Sequence, residues 1–181
     1  ITGSEATRVL AHADVISPPK PDLGAIDLGE AINWGEENAS ENAGQQKQGT
    51  AFDYATIAWE FDNGAVGAIV LSHAPIFRKG LCPELELHGS QASLAIDRVR
   101  STVTLFPPDD TDGTTEKIED TGLGNRFSQH VFPSLQEQVS GSRGTHPGMD
   151  DGWRVQLFTD AAATSSRRGG WVELAELDPE A

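Results

Sequence analysis

A glycine-rich segment, residues 122–127, begins like the loop that binds the phosphates of a dinucleotide. Its sequence is Gly-Leu-Gly-Asn-Arg-Phe, so Phe127 takes the position of the third glycine of that fingerprint. The fingerprint also needs a strand that leads directly into the loop, and the sequence predicts none there. We therefore interpret this segment as an ordinary loop before a helix.

An acidic segment, residues 107–121, partly matches a calcium-binding EF-hand loop. Four residues match its third, fifth, sixth and twelfth positions: Asp110, Asp112, Gly113 and Glu119. Pro108 stands at the first position, where the loop needs a carboxylate, and a strand rather than a helix is predicted before it. A solvated acidic loop is the simpler interpretation.

The histidines and the single cysteine carry no signature of a metal site or a nucleophile. Histidines occur at positions 12, 73, 88, 130 and 146, without the HxH or HExxH spacing that holds zinc. Cys82 has only Arg78 and Lys79 as local cations, so a small buried thiol is expected. His146 differs, because it lies in a Gly-Thr-His-Pro-Gly turn directly before a predicted helix. A helix start of this kind can orient a ligand oxygen, and a capping or packing role is the alternative.

The elements that must position these residues begin with two strongly alternating segments. Residues 6–17 and 53–62 each place apolar and polar side chains on opposite faces, which is typical of half-buried strands. Asn63-Gly64 then predicts a two-residue type I′ turn, followed by a strand over residues 65–77. The sequence therefore predicts a β-hairpin.

A two-residue turn fixes the pairing of that hairpin. On the core face, it places Phe61 opposite Val66, Trp59 opposite Ala68 and Ile57 opposite Val70. On the other face, it places Ala58 opposite Ile69, Thr56 opposite Leu71 and Tyr54 opposite His73. Because this second face still carries apolar side chains, we expect it to be covered by a partner.

The remaining elements follow in order along the chain. Three short strands are predicted over residues 84–88, 92–97 and 101–106. Helical patterns follow over residues 127–139, divided or kinked at Pro133, and over residues 149–167, ended by Gly169. A last short strand is predicted around Trp171. Residues 18–50 are predicted to form a long surface excursion. The fold class is α+β, with helices on one face of an open, predominantly antiparallel sheet.

Composition limits the class of protein and its partners. A length of 181 residues suits a single domain over residues 1–181. The net charge of −15 argues against nucleic acid and anionic membranes as partners, and no apolar run is long enough to span a bilayer. The single cysteine fits a reducing cytoplasm. Because the sequence starts at Ile1 rather than at a methionine, we expect a fragment of a longer protein.

Four segments, taken in order, resemble the glucose-fructose oxidoreductase and inositol dehydrogenase family (Gfo/Idh/MocA). The hairpin over residues 53–67 is similar to the family's glycine-turned sheet hairpin, and residues 84–94 to its strand, glycine turn and following strand. Residues 146–156 resemble its helix opening with an Asp-Gly-x-Arg pattern, and Trp171-Val172-Glu173-Leu174 its terminal strand. The resemblance implies the C-terminal domain, which lines the substrate pocket and forms dimers or tetramers through the open sheet face.

The departures from this family are equally informative. The upstream nucleotide-binding domain, the Glu-Lys-Pro lysine motif and the active-site Asp/His helix have no counterpart here, so this fragment alone is expected to be inactive and to bind no cofactor. With NAD or NADP, the full-length enzyme would oxidise or reduce a sugar or polyol. We predict that Phe77, Arg78 and His146 contact that substrate. The alternative hypothesis is a stand-alone carbohydrate-binding or protein-interaction module.

Overall fold

The computed structural model describes residues 3–22, 46–73, 85–97, 99–119, 127–142 and 147–178. In chain order, the strands are β1 (Ala6–Asp14), β2 (Lys20–Pro21), β3 (Gln46–Lys47), β4 (Tyr54–Phe61), β5 (Val66–Ser72), β6 (Leu85–His88), β7 (Ser93–Asp97), β8 (Thr102–Phe106), β9 (Thr114–Lys117) and β10 (Val172–Glu173). The helices are α1 (Phe132–Val139) and α2 (Met149–Arg168). These elements confirm the α+β fold class.

The chain divides into two compact units. The first comprises Ile1–Phe77 with Arg154–Ala181, and the second comprises Arg78–Trp153. Each unit contains its own four-stranded antiparallel sheet, in the order β10-β1-β4-β5 for the first and β6-β7-β8-β9 for the second. The single domain expected from chain length stays a prediction.

The core of the first unit lies between one face of its sheet and helix α2. Alternation along β1 turns Val9 and Ala11 towards the helix, where both are buried against Ala161 and Ala162. Residues packed around this cluster are Ile57, Trp59, Phe158, Leu174 and Leu177. Small alanines on α2 let the helix approach the sheet closely, and β1 contributes two buried residues, Val9 and Ala11, to the core.

The β4–β5 hairpin differs from its predicted register by one residue. Phe61 pairs with Ala65 through an N–H···O bond of 2.9 Å, and Trp59 pairs with Gly67 instead of Ala68. The loop therefore has three residues, 62–64, and only Gly64 has a positive φ, of 82°. A type I′ turn needs positive φ at both central residues, so the predicted turn type is wrong.

This shift corrects the predicted faces of β5. Ile69 pairs with Ile57, and Leu71 with Ala55, so both lie on the side of the sheet that carries α2. The opposite face carries Val66, Ala68 and Val70 from this strand instead. The prediction that Ile69 and Leu71 lie on the open face is therefore wrong.

Two adjacent serines of α2 close the part of the β1 edge that β10 leaves unpaired. The backbone N–H of Ala11 donates to Ser165 Oγ at 2.8 Å, and that of Ala13 to Ser166 Oγ at 2.9 Å. The Ser165 hydroxyl in turn donates to the carbonyl oxygen of Gly170 at 2.6 Å. Because Ser165 is fully buried, its bond to Ala11 satisfies polar groups that water cannot reach.

The base of the excursion over residues 18–50 is fixed to the same sheet. Strands β2 and β3 pair with each other, and Gln48 donates to the carbonyl oxygen of Ser17 at 3.0 Å. The Asp53 carboxylate accepts the N–H groups of Ile16 at 2.8 Å and Ser17 at 3.1 Å. Residues 23–45 lie outside the described part of the chain.

The sheet of the second unit confirms three predicted strands and adds a fourth. Strand β9 pairs with β8 inside the segment that was predicted to be an acidic loop, so that prediction is wrong for Thr114–Lys117. Besides the backbone pairing, the hydroxyls of Thr104 and Thr115 lie 2.9 Å apart across the two strands. Because β9 has the sequence Thr-Thr-Glu-Lys, it shows no alternation of apolar and polar residues from which a strand could be predicted.

The helices follow the predicted boundaries closely. A π-helical turn, Phe127–Val131, leads into α1, and Pro133 lies in the first turn of α1, where its missing N–H costs nothing. Helix α2 ends at Arg168 and is followed by Gly169, whose φ is 71° and whose N–H donates to the carbonyl oxygen of Ser165 at 2.8 Å. Within the described residues, neither helix has the length and apolar character needed to cross a bilayer.

Candidate functional site: the open face of the first sheet

The three residues predicted to contact substrate, Phe77, Arg78 and His146, lie outside the described residues. Their roles therefore stay predictions. Cys82 and residues 122–126 of the glycine-rich segment also lie outside the described residues. Of the histidines, His12 and His88 both lie on strands, as predicted.

The partial EF-hand match forms a tight turn between two strands. The Oδ1 atom of Asp110 accepts the N–H groups of Asp112 at 3.1 Å and Gly113 at 3.0 Å. Gly113 has a φ of 67°, and the chain then enters β9. Among the described residues, no group of three or more His, Cys, Asp or Glu side chains is placed to hold a metal ion.

The face of the first sheet that points away from α2 is organised in rows across β1, β4 and β5. The four successive rows are Arg8–Glu60–Val66, Leu10–Ala58–Ala68, His12–Thr56–Val70 and Asp14–Tyr54–Ser72. We call this surface the open face. Its two middle rows carry no acidic residue, while its outer rows carry the charged ones.

A shallow groove of about 440 Å³ crosses the middle of the open face. It is lined by six residues of the two middle rows, by three residues of the row between them, and by two residues at the C-terminal end of α2: Leu10, His12, Thr56, Ala58, Ala68 and Val70; Ala11, Ile57 and Ile69; and Ser166 and Gly169. Val70 is 55% exposed and Leu10 36% exposed. Leu10 and Val70 therefore give the middle of the open face exposed apolar area.

One end of the open face is a fixed polar cluster. Arg8 donates to both carboxylate oxygens of Glu60, from Nε and Nη2, at 2.9 Å each. The guanidinium also lies 4.8 Å from the ring centre of Trp171. A planar guanidinium held by a carboxylate and an aromatic ring is rigid, so the shape of this end is preorganised.

A second polar cluster lies on the sheet of the other unit, where His88 stands between Ser93 and Glu86. His88 Nδ1 lies 3.0 Å from Ser93 Oγ, and His88 Nε2 lies 3.4 Å from Glu86 Oε2. The side chains of His88 and Glu86 are 71% and 50% exposed. Because water competes for every contact at this exposure, the cluster lacks the desolvation that activates a nucleophile.

A protein-family model matches most of the chain. Residues 29–174 match the model "Oxidoreductase family, C-terminal alpha/beta domain" of the Gfo/Idh/MocA group. The chain belongs to this family. The resemblance found in the sequence is thereby confirmed.

Solved structures share the fold of this Gfo/Idh/MocA C-terminal domain. An oxidoreductase domain protein from Kribbella flavida is similar at 20% identity and a TM-score of 0.70, over 96% of this chain and 47% of its own. Levoglucosan dehydrogenase in complex with NADH and levoglucosan is similar at 21% identity and a TM-score of 0.62, over 93% and 45%. Aldose-aldose oxidoreductase from Caulobacter crescentus, complexed with glycerol, is similar at 15% identity and a TM-score of 0.59, over 95% and 42%.

The chain spans less than half the length of these solved structures. A search of curated proteins finds no match. The levoglucosan dehydrogenase and aldose-aldose oxidoreductase in this comparison act on sugars, and the former is bound to NADH.

Within the described residues, neither four-stranded sheet has the strand arrangement of a dinucleotide-binding site. The two four-stranded sheets pair antiparallel throughout, whereas dinucleotide sites are built on parallel strands joined by helices. Nothing in the groove pairs a nucleophile with a base, and His12 is the one titratable side chain among its described lining residues.

Proposed function

We propose that this chain is the substrate-binding and assembly domain of an NAD(P)-dependent sugar or polyol dehydrogenase. The observation that carries the proposal is the match of residues 29–174 to the family's C-terminal domain. Two similar structures named for sugars, levoglucosan dehydrogenase and aldose-aldose oxidoreductase, support the substrate class, and the NADH bound to the former supports the cofactor. The cofactor and the proton-transfer groups would come from a nucleotide-binding part of the intact enzyme, which we place in the cytoplasm.

Phe77, Arg78 and His146 are the substrate contacts of this proposal. An aromatic ring, a guanidinium and an imidazole next to a helix start are side chains that stack on a sugar or donate to its hydroxyl oxygens. Their support comes from the sequence: Phe77 and Arg78 follow strand β5, and His146 precedes helix α2.

We also propose that two copies associate through the open face, as a homodimer or as part of a tetramer. With a net charge of −15, two copies repel each other over most of their surfaces. The middle rows of the open face are uncharged except when His12 is protonated, and their aliphatic side chains are exposed. This is where burial of apolar area opposes the least charge repulsion.

The enzymatic proposal is tested with the intact protein that contains this chain. Purified intact protein is assayed for sugar- or polyol-dependent reduction of NAD⁺ and NADP⁺, beside the 181-residue chain alone. We expect turnover by the intact protein and none by the isolated chain. An intact protein that binds no nicotinamide cofactor would contradict the proposal, and sugar binding by a strictly monomeric isolated chain would favour a stand-alone module.

A further inference from the structure

His12 lies in the middle of the open face. It shares a row with Thr56 and Val70, and Leu10 lies beside it on the same face of β1. Among the described residues that line the groove, it is the one with a titratable side chain. Any surface that covers the groove therefore covers this imidazole as well.

The charged groups on the open face lie outside the row of His12. On β1, the Asp14 carboxylate accepts the N–H of Val15 at 2.7 Å. On β4, Glu60 is held by Arg8, and Tyr54 lies in the last row. The other facing residues are not titratable: Val66, Ala68, Val70 and Ser72 on β5, and Ser166 and Gly169 at the end of α2.

The row of His12 thus offers no carboxylate opposite the imidazole to stabilise its charged form. Asp14 is the nearest acidic residue along the face, about 7 Å away for two residues of strand. Burial of an imidazolium without a paired carboxylate costs more free energy than burial of a neutral imidazole. A histidine changes charge in the range between about pH 5 and about pH 8.

We propose that protonation of His12 weakens the association of two copies through the open face, so that assembly responds to pH. The inference rests on the proposed assembly through that face. In a twofold pairing, each copy contributes one His12, so the effect counts twice. In general, a pKa that differs by one unit between the free and the associated state corresponds to about a tenfold change in the association constant.

The direction of this effect separates it from general charge repulsion. Acidification makes the net charge less negative than its value of −15 at pH 7, and this lowers the repulsion between copies. Net charge alone therefore favours association in acid, whereas protonation of His12 opposes it. Weaker association at lower pH is a signature that net charge does not produce.

The test is the association constant of the 181-residue chain, measured by sedimentation velocity at about pH 7.5 and about pH 5.5 at fixed ionic strength. Four proteins are compared: the wild type, His12→Gln, His12→Lys and His88→Gln. We expect the wild type and His88→Gln to lose affinity about tenfold or more in acid. His12→Gln should not weaken in acid, and His12→Lys should be weak at both pH values.

The outcomes are distinguishable. If His12→Gln weakens in acid as much as the wild type, the switch is overturned and the assembly stands. If the wild type associates equally at both pH values, the switch is likewise overturned and the assembly stands. If the wild type is a monomer at both pH values, both the assembly and the switch are overturned. Circular dichroism of each variant confirms that the fold is retained.

Discussion

The indole of Trp59 on β4 lies across the backbone of Gly67 on β5. The two residues are direct cross-strand partners, and a Cβ atom at Gly67 would overlap the Cζ2 and Cε2 atoms of the ring. This placement lets Trp59 also contact Phe158 of α2 edge to face, with ring centres 5.5 Å apart. The bare backbone of Gly67 is therefore what lets the indole bridge the hairpin and the helix.

Gly67→Ala should destabilise the fold, because the added methyl group displaces the Trp59 ring. Overpacking of this kind costs about 1–3 kcal/mol in the free energy of unfolding. The matched control is Gly152→Ala in α2, where an added Cβ has no neighbour within 4 Å and should be neutral or stabilising. Urea denaturation followed by tryptophan fluorescence measures both, and a Gly67→Ala protein as stable as the wild type would contradict the placement.

Ser165→Ala should also destabilise the fold, because it leaves the N–H of Ala11 and the carbonyl of Gly170 without their partner. Unsatisfied buried groups cost about 1–3 kcal/mol in the free energy of unfolding. Thr159→Ala is the control, since the Thr159 hydroxyl is exposed and bonds only to the helix backbone. The same denaturation assay applies, and equal losses for the two variants would show that Ser165 does not seal the strand edge.

Asp53→Asn should make stability less dependent on pH. The Ser17 hydroxyl is buried without a partner of full hydrogen-bond geometry among the described residues. Its proximity to the carboxylate, followed by the N–H groups of Ile16 and Ser17, lowers the pKa of Asp53 below its ordinary value. The stabilising contribution of this carboxylate is therefore complete above the ordinary pKa and is lost as the pH falls through the lowered one.

The measurement is the melting temperature of the wild type and Asp53→Asn over the acidic range. The variant should melt lower than the wild type near neutral pH, and the difference should shrink in acid. A difference that stays constant, or that grows as the pH falls, would show that the charged form of Asp53 does not hold the base of the excursion.

Ala68→Arg should dissociate the proposed assembly, since it places a charge in the middle of the open face. Leu71→Arg is the matched control on the same strand, because Leu71 lies on the α2 side of the sheet. Sedimentation velocity should show a monomer for the first variant and the wild-type mass for the second. If Ala68→Arg leaves the mass unchanged, the open face is not the contact between copies.

Local signals were sufficient for most of the fold. Alternation placed Val9 and Ala11 in the core, and the charged residues at both ends of α2 with Gly169 gave its limits. These features depend on neighbouring residues in the sequence, so they can be predicted without the tertiary structure.

The missed features depend on contacts that the sequence does not display. Asn63-Gly64 fits a two-residue loop and also a three-residue loop, and the structure adopts the latter, with the N–H of Ala65 donating to Asn63 Oδ1 at 3.0 Å. That choice reversed the face assigned to Ile69 and Leu71. Strand β9 was missed because its pairing rests on hydroxyl and backbone contacts with β8 rather than on apolar alternation.

The candidate site was predictable only in part. The sequence indicated an apolar second face on the hairpin, and Ala58 and Thr56 do lie on it. The groove itself depends on the register of three strands, so His12 could be placed on a polar strand face but not inside a groove. The bonds from Arg8 to Glu60 require the β1–β4 pairing and left no local signal.

The central claim is that this domain recognises the substrate and leaves cofactor binding to the rest of the enzyme. Its most direct test is the sugar KM and the cofactor Kd of the intact enzyme, measured for Arg78→Ala and His146→Ala with Lys79→Ala as the control. The account predicts that KM rises about tenfold or more for the first two variants, with the cofactor Kd unchanged. A weakened cofactor Kd with an unchanged KM would contradict it.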